Sequence, residues 1–124
     1  MDALLQQEGY DLMAAAFEVY NRMGSGYLEE VYHQCLEHEL RLRNIPYSSK
    51  PELEIRYKGV VLEKRYRPDL LVFEGIIVEL KAVKALAPEH EAQLLGYLKA
   101  SGKRVGYLLN FGSLDQLEWK RMVK

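Results

Sequence analysis

Apolar residues recur at helical spacing near the start of the chain. Leu5, Leu12, Met13, Ala16, Phe17, Tyr20 and Met23 predict a first helix over residues 3–23. Gly24-Ser25-Gly26 ends it, and Ser25 or Gly26 is placed to cap a second helix from about Tyr27 to Arg43. The stripe of that helix reads Leu28, Val31, Tyr32, Cys35, Leu36, Leu40 and Leu42, with Glu30, Gln34, Glu37 and Arg41 opposite. Glu39 falls near the centre of the stripe and needs a partner, for which Arg43 is one turn away. Glu29 falls at its edge, either in an ion pair or beside a site elsewhere in the fold. Asn44-Ile45-Pro46 closes the helix.

The period then changes to two. Leu53, Ile55 and Tyr57 alternate with charged residues, Lys58-Gly59 makes a two-residue turn, and Val60 and Leu62 continue the apolar face. After the next two strands, Pro88 opens a helix that runs to about Ser101, closed by Gly102. His90 is either a site residue or a polar residue of its first turn. Arg104 to Phe111 reads as a buried strand, and Leu117, Trp119, Met122 and Val123 as an edge strand. The fold class expected is α/β (α+β), one domain over residues 1–124 in the order α-α-β-β-β-β-α-β-(β).

The two middle strands, 66–73 and 76–82, carry the charges that a purely structural hairpin would avoid. Arg67 to Lys81 is mostly branched aliphatic, yet it contains Asp69 and Glu79-Leu80-Lys81. A lone buried carboxylate is costly and normally keeps a cation, a metal or a proton for company. Side-chain parity decides whether the two acids meet. A two-residue loop at Glu74-Gly75 would put Asp69 and Glu79 on opposite faces. A three-residue loop, Phe73-Glu74-Gly75 with Gly75 left-handed in a bulge, pairs Val72 with Ile76 and sets Asp69 opposite Glu79. The other face is then wholly apolar, made of Leu70, Val72, Ile76, Val78 and Leu80. The second register explains both faces.

Composition excludes several classes. No apolar run approaches the roughly 20 residues of a membrane span, and Met1 to Glu8 lacks the pattern of a signal peptide. One cysteine, Cys35, forms no internal disulfide and fits a cytoplasmic protein. The net charge of −1 is unevenly spread: residues 1–40 balance at −7 and residues 41–124 at +6. A phosphate-binding surface belongs to the second part.

The arrangement of Pro68-Asp69, nine further residues and Glu79-Leu80-Lys81 resembles the PD-(D/E)xK nuclease-like superfamily. Gln93-Leu94-Leu95-Gly96-Tyr97 resembles the Gln-x-x-x-Tyr element of its RecB-type branch, and Gly26 to Tyr32 matches the signature of the GxxExxY protein family. Val78 to Ala82, His90 to Leu95 and Leu109 to Gly112 look like that family too, whose members often carry His where this chain has Tyr20. The resemblance implies a restriction-endonuclease-like core, a central mixed sheet flanked by helices. It implies that Asp69, Glu79 and the Leu80 main-chain carbonyl hold Mg²⁺ (or Mn²⁺), with Glu29 as a third acidic group. Lys81 would orient or activate water, and Gln93 and Tyr97 would touch metal-bound water or backbone phosphate. Arg65, Arg67 and Lys84, with Lys64, Lys99 and Arg104, would flank the site as nucleic-acid contacts.

The function expected is a Mg²⁺-dependent nuclease, a hydrolase acting on DNA or RNA, with DNA the first choice of partner. A chain of 124 residues leaves no room for a separate recognition domain, so a homodimer, recognition of structure, or a further partner is expected. The alternative is a non-catalytic module that keeps the fold and binds nucleic acid or protein. A weaker third reading is an oligomeric subunit whose acidic helices dock a basic partner.

Overall fold

The computed structural model describes residues 4–124. Its elements, in order, are α1 (Gln6–Met23), α2 (Glu29–Leu42), β1 (Tyr47–Ser49), β2 (Leu53–Tyr57), β3 (Val60–Tyr66), β4 (Leu70–Val72), β5 (Ile76–Lys81), α3 (Pro88–Ser101), β6 (Val105–Asn110) and β7 (Glu118–Val123). The expected start of the first helix at residue 3, and the reading of Met1 to Ala3, lie outside the described residues. The short strand β1 is the one element the hydrophobic pattern does not announce. It holds two serines and is tied to the sheet by pairing with β4.

A five-stranded sheet runs in the order β1-β4-β5-β6-β7, parallel only between β5 and β6. A strand flanked on both sides and covered on both faces should be apolar throughout. β5 obeys this in Ile76, Ile77 and Val78, all fully buried. One face of the sheet presents Leu70, Val72, Ile76, Val78 and Leu80 to a core built with Leu12, Ala16, Leu36 and Leu40 of α1 and α2. The other presents Ile77 and Leu108 to Leu94 and Leu98 of α3. β2 and β3 form a hairpin of their own, whose Leu53, Ile55 and Tyr66 join that second core. Each fully buried Leu or Ile contributes roughly 2 kcal/mol. Among the described residues, no helix is long and apolar enough to cross a membrane.

The register of the β4–β5 pair is the expected one: Leu70 lies opposite Val78 and Val72 opposite Ile76. Its turn is not. Gly75 does not take a left-handed conformation; Phe73 (φ 54°) and Glu74 (φ 60°) do. Gly75 N–H donates to Val72 C=O at 3.2 Å, which makes Phe73 and Glu74 the two central residues of a tight turn of type I′ character. Two ordinary residues accept positive φ because Phe73 packs on the core and its N–H bonds Pro46 C=O. At the β2–β3 turn, Lys58 (φ 48°) and Gly59 (φ 79°) take the left-handed conformation such turns require.

Helix α2 is rotated from the expected stripe. Tyr32, His33, Leu36 and Leu40 are its buried residues, whereas Leu28 and Leu42 are exposed and Val31 and Cys35 lie half-buried at the margin. Neither Ser25 nor Gly26 caps it; Leu28 stands at the N-cap with no side-chain bond. The Tyr32 hydroxyl closes that corner instead, donating to Gly24 C=O at 2.6 Å. Glu39, expected near the centre of the stripe, lies instead at the margin of the buried face, half-buried and paired with Arg43 at 2.6 Å.

Candidate active site

The site grows from the end of the β4–β5 pair. Asp69 precedes β4, and Glu79 and Lys81 lie on β5 with the parity that the register dictates. Asp69 N–H donates to Glu79 Oε1 at 3.1 Å, and Leu80 N–H donates to Asp69 Oδ2 at 2.7 Å. The two acids therefore share one wall. In a strand the N–H and C=O of one residue point to the same side. The Lys81 carbonyl accepts from Phe111 N–H on the β6 side, so the preceding Leu80 carbonyl faces the Asp69 side.

Burial and Asp69's negative charge push the Glu79 carboxyl up to about 7, against bonds from Tyr66 and Asp69 N–H and the charge of Lys81, which pull it down. The Tyr66 hydroxyl donates to Glu79 Oε2 at 2.7 Å, and burial with the same carboxylate holds the phenol far above its ordinary range. Glu29, exposed at the start of α2, is raised by partial desolvation and by Asp69, while Lys81 and His33 act in the opposite sense. Glu30 points to solvent, where Gln34 and Lys50 lower it.

A cleft of about 290 Å³ opens over Glu79, lined by Lys64, Arg65, Tyr66, Arg67, Gln93 and Tyr97. It gathers six of the expected residues: Glu79, Gln93, Tyr97, Lys64, Arg65 and Arg67. Arg67 is held by Glu52, and Arg65 donates to the Leu62 carbonyl. Lys84 lies outside the cleft on the exposed β5–α3 loop, and Lys99 in the last turn of α3. Arg104 is at the opposite end of the sheet, bonded to the Lys124 carbonyl. His90 is a first-turn residue: its Nδ1 accepts from Ala87 N–H at 3.0 Å.

Two residues of this neighbourhood carry no signal in a motif. Tyr66 floors the cleft and stacks on Tyr97, ring centroids 3.9 Å apart and planes within 1°. His33 is 4% exposed; its Nε2 lies 2.6 Å from Glu37 Oε2 and its Nδ1 3.9 Å from Asp69 Oδ1. The spacing Tyr32, His33, Leu36, Leu40 traces the true buried face of α2 and is the signal that could have found it.

The donor set fits a hard divalent cation. It is all oxygen, each Glu79 oxygen has accepted one hydrogen bond and keeps a further lone pair, and a cation would relieve the clash of two partly buried carboxylates. Among the described residues, no three His, Cys, Asp or Glu side chains converge as a metal cage. Water or substrate oxygens would have to complete the shell, as Mg²⁺ ordinarily prefers.

A family model described as PD-(D/E)XK nuclease superfamily matches residues 6–122. Comparison with curated proteins gave no match. Among solved structures, the chain resembles SSO0001 with a TM-score of 0.58 and 22% identity, over 77% of this chain and 49% of that one. It thus spans about half the length of that relative. It also resembles an alkaline exonuclease (LHK-Exo) from Laribacter hongkongensis, with a TM-score of 0.51 and 15% identity, over 100% of this chain and 72% of that one.

Proposed function

The chain belongs to the PD-(D/E)XK nuclease superfamily, and from that premise we propose that it is a metal-dependent phosphodiesterase of nucleic acid. The observation that carries this reading is the wall on which Asp69 and Glu79 meet through the Asp69 N–H, with Lys81 close enough to pull on the Glu79 carboxyl. Asp69, Glu79 and the Leu80 carbonyl are the groups to hold Mg²⁺ or Mn²⁺, with Glu29 as an outer acid. A bound divalent ion supplies Lewis acidity, activation of water and charge neutralisation at phosphorus. Lys81 orients the attacking water and offsets developing negative charge. Gln93 holds water or phosphate at the rim. Tyr97, Arg65 and Arg67, with Lys64, bind the backbone inside the cleft, and Lys84 meets it farther out.

DNA is the first substrate to try. A homodimer is one way for this domain to gain a recognition surface, and the single cysteine keeps the cytoplasm as the expected compartment. The test is Mn²⁺ titration beside single-turnover cleavage of labelled duplex, single-stranded and branched DNA, and RNA. Asp69→Ala and Glu79→Ala should lose cation and cleavage together. Lys81→Ala should keep the cation while cleavage falls about a hundredfold or more, roughly 3 kcal/mol. No cation bound and no substrate cut would leave the non-catalytic binding module.

A further inference from the structure

Tyr66 stands between two residues of the proposed site and touches both. It is 5% exposed, with its ring in the core on the α3 side among Ile77, Leu94 and Leu98. A phenol so placed needs one hydrogen-bond partner, and any carbonyl would serve. Here β3 ends where the hydroxyl meets Glu79 Oε2, the carboxylate oxygen left free by Asp69 N–H. Across the hairpin Tyr66 is opposite Leu53, and its ring lies flat on Tyr97 of α3.

We propose that Tyr66 is a positioning residue that fixes the Glu79 carboxylate for cation binding, and that Tyr97 acts on the site through the Tyr66 ring. The inference rests on the reading that Asp69 and Glu79 hold a divalent cation, and deepens it. A glutamate has three rotatable bonds. One hydrogen bond to Oε1 leaves the carboxylate free to pivot, whereas a second to Oε2 fixes the position of both oxygens and the plane they define. Groups that orient a metal ligand from behind matter to metal affinity almost as much as the ligand. The hydroxyl can do this only while its ring is held, and the Tyr97 stack holds one face of a ring that Ile77, Leu94 and Leu98 also pack. The tyrosine of Gln-x-x-x-Tyr, four residues from Gln93, thereby serves as the back wall of a metal ligand as well as the rim of the cleft.

The test is calorimetric titration of Mn²⁺ into the metal-free full chain, with circular dichroism and melting temperature to report folding. Tyr66→Phe keeps the ring and the stack, and its Kd should weaken about tenfold to a hundredfold. Tyr97→Ala should weaken it less, and Tyr97→Phe, which restores the ring, should recover the wild-type value. In the Tyr66→Phe background Tyr97→Ala should add nothing further, because the hydroxyl it supports is gone. A merely structural Tyr66 would lower the melting temperature without moving Kd. Wild-type affinity in Tyr66→Phe, with none in Glu79→Ala, overturns the positioning role and spares the metal site. Additive effects of the two changes overturn the route through Tyr97. A wild-type chain that binds no Mn²⁺ overturns both inferences together.

Discussion

Two polar clusters lie side by side where β5 and β6 end, at Lys81 and Asn110, and they are built on opposite rules. Asn110 is fully buried and every polar atom of it is matched. Its Oδ1 accepts from Val83 and Gly112 N–H, each at 3.0 Å, and its Nδ2 donates to Glu118 Oε1 at 2.9 Å. That same oxygen takes Leu86 N–H, so a neutral amide and one carboxylate pin the whole loop from β5 to α3. Gly112 is part of the fit, since a Cβ there would stand 2.4 Å from the Val83 carbonyl oxygen. Glu79, one strand away, also accepts two hydrogen bonds, yet burial and Asp69 still push it up to about 7. Satisfied hydrogen bonding marks the structural cluster; a carboxylate desolvated by burial beside a second acid marks the candidate site.

The difference can be broken from the structural side first. Asn110→Ala would orphan two N–H groups in a fully buried place and leave Glu118 short of a donor. The expected loss is about 4 kcal/mol of stability in urea unfolding. Mn²⁺ affinity should stay within severalfold, because none of the groups proposed to hold the cation has changed. A large loss of affinity with unchanged stability would erase the distinction between the clusters.

The functional side should answer with the opposite sign. The Glu79 carboxyl sits at about 7 in the fold against 4.5 ordinarily. Between those values the folded chain holds more protons than the unfolded one, so stability falls as pH rises through this window and the cost is complete above it. Glu79→Gln does not titrate, keeps an oxygen for Asp69 N–H and offers an amide N–H to the Tyr66 hydroxyl. Without metal it should match the wild type near pH 4 and exceed it by on the order of 3 kcal/mol at pH 8. Mn²⁺ should stabilise the wild type and leave the variant unmoved. Urea unfolding from pH 4 to 8 measures all of this, and a flat difference between the two chains would remove the claim of stored charge.

Much of the site was legible because strand parity is rigid. Placing Asp69 opposite Glu79 puts five aliphatic side chains on the other face, and the structure buries those five. Of the family-motif residues, the fold brings Glu79, Gln93 and Tyr97 into one cleft, while Asp69 and Lys81 stand beside it at the end of the same pair of strands. Helices are less determinate. The hydrophobic stripe of α2 runs through Leu28 and Leu42, but these are its N-cap and its last residue, where chain entry and exit decide exposure. His33 adds no hydrophobic signal to the sequence pattern, although Glu37 and Ser49 give it partners in the fold. Tyr66 begins the expected strand 66–73 but in the structure ends β3, with β4 confined to Leu70–Val72; its place beside Glu79 is set by where β3 stops, which no local pattern encodes. Strand β1 is too short and too polar to show a period of its own.

The smallest effect belongs to the turn, far from the cations and protons. Phe73 and Glu74 hold left-handed backbone that glycine or asparagine would accept more readily. Phe73 must stay, since its ring packs on the core. Glu74 is exposed, and what it contributes is a main-chain oxygen 3.5 Å from Lys103 Nζ, which any residue would supply. Glu74→Gly removes the strain of a side chain at φ 60° but adds freedom to the unfolded chain. The two terms oppose each other, and the strain of roughly 1–2 kcal/mol exceeds the entropy by about 0.5 kcal/mol. A small gain in melting temperature is therefore expected, with Mn²⁺ affinity unaltered. Because this turn sets the register that brings Asp69 opposite Glu79, any change in affinity would mean that the pairing had slipped, and that the site depends on the turn more than the strands between them imply.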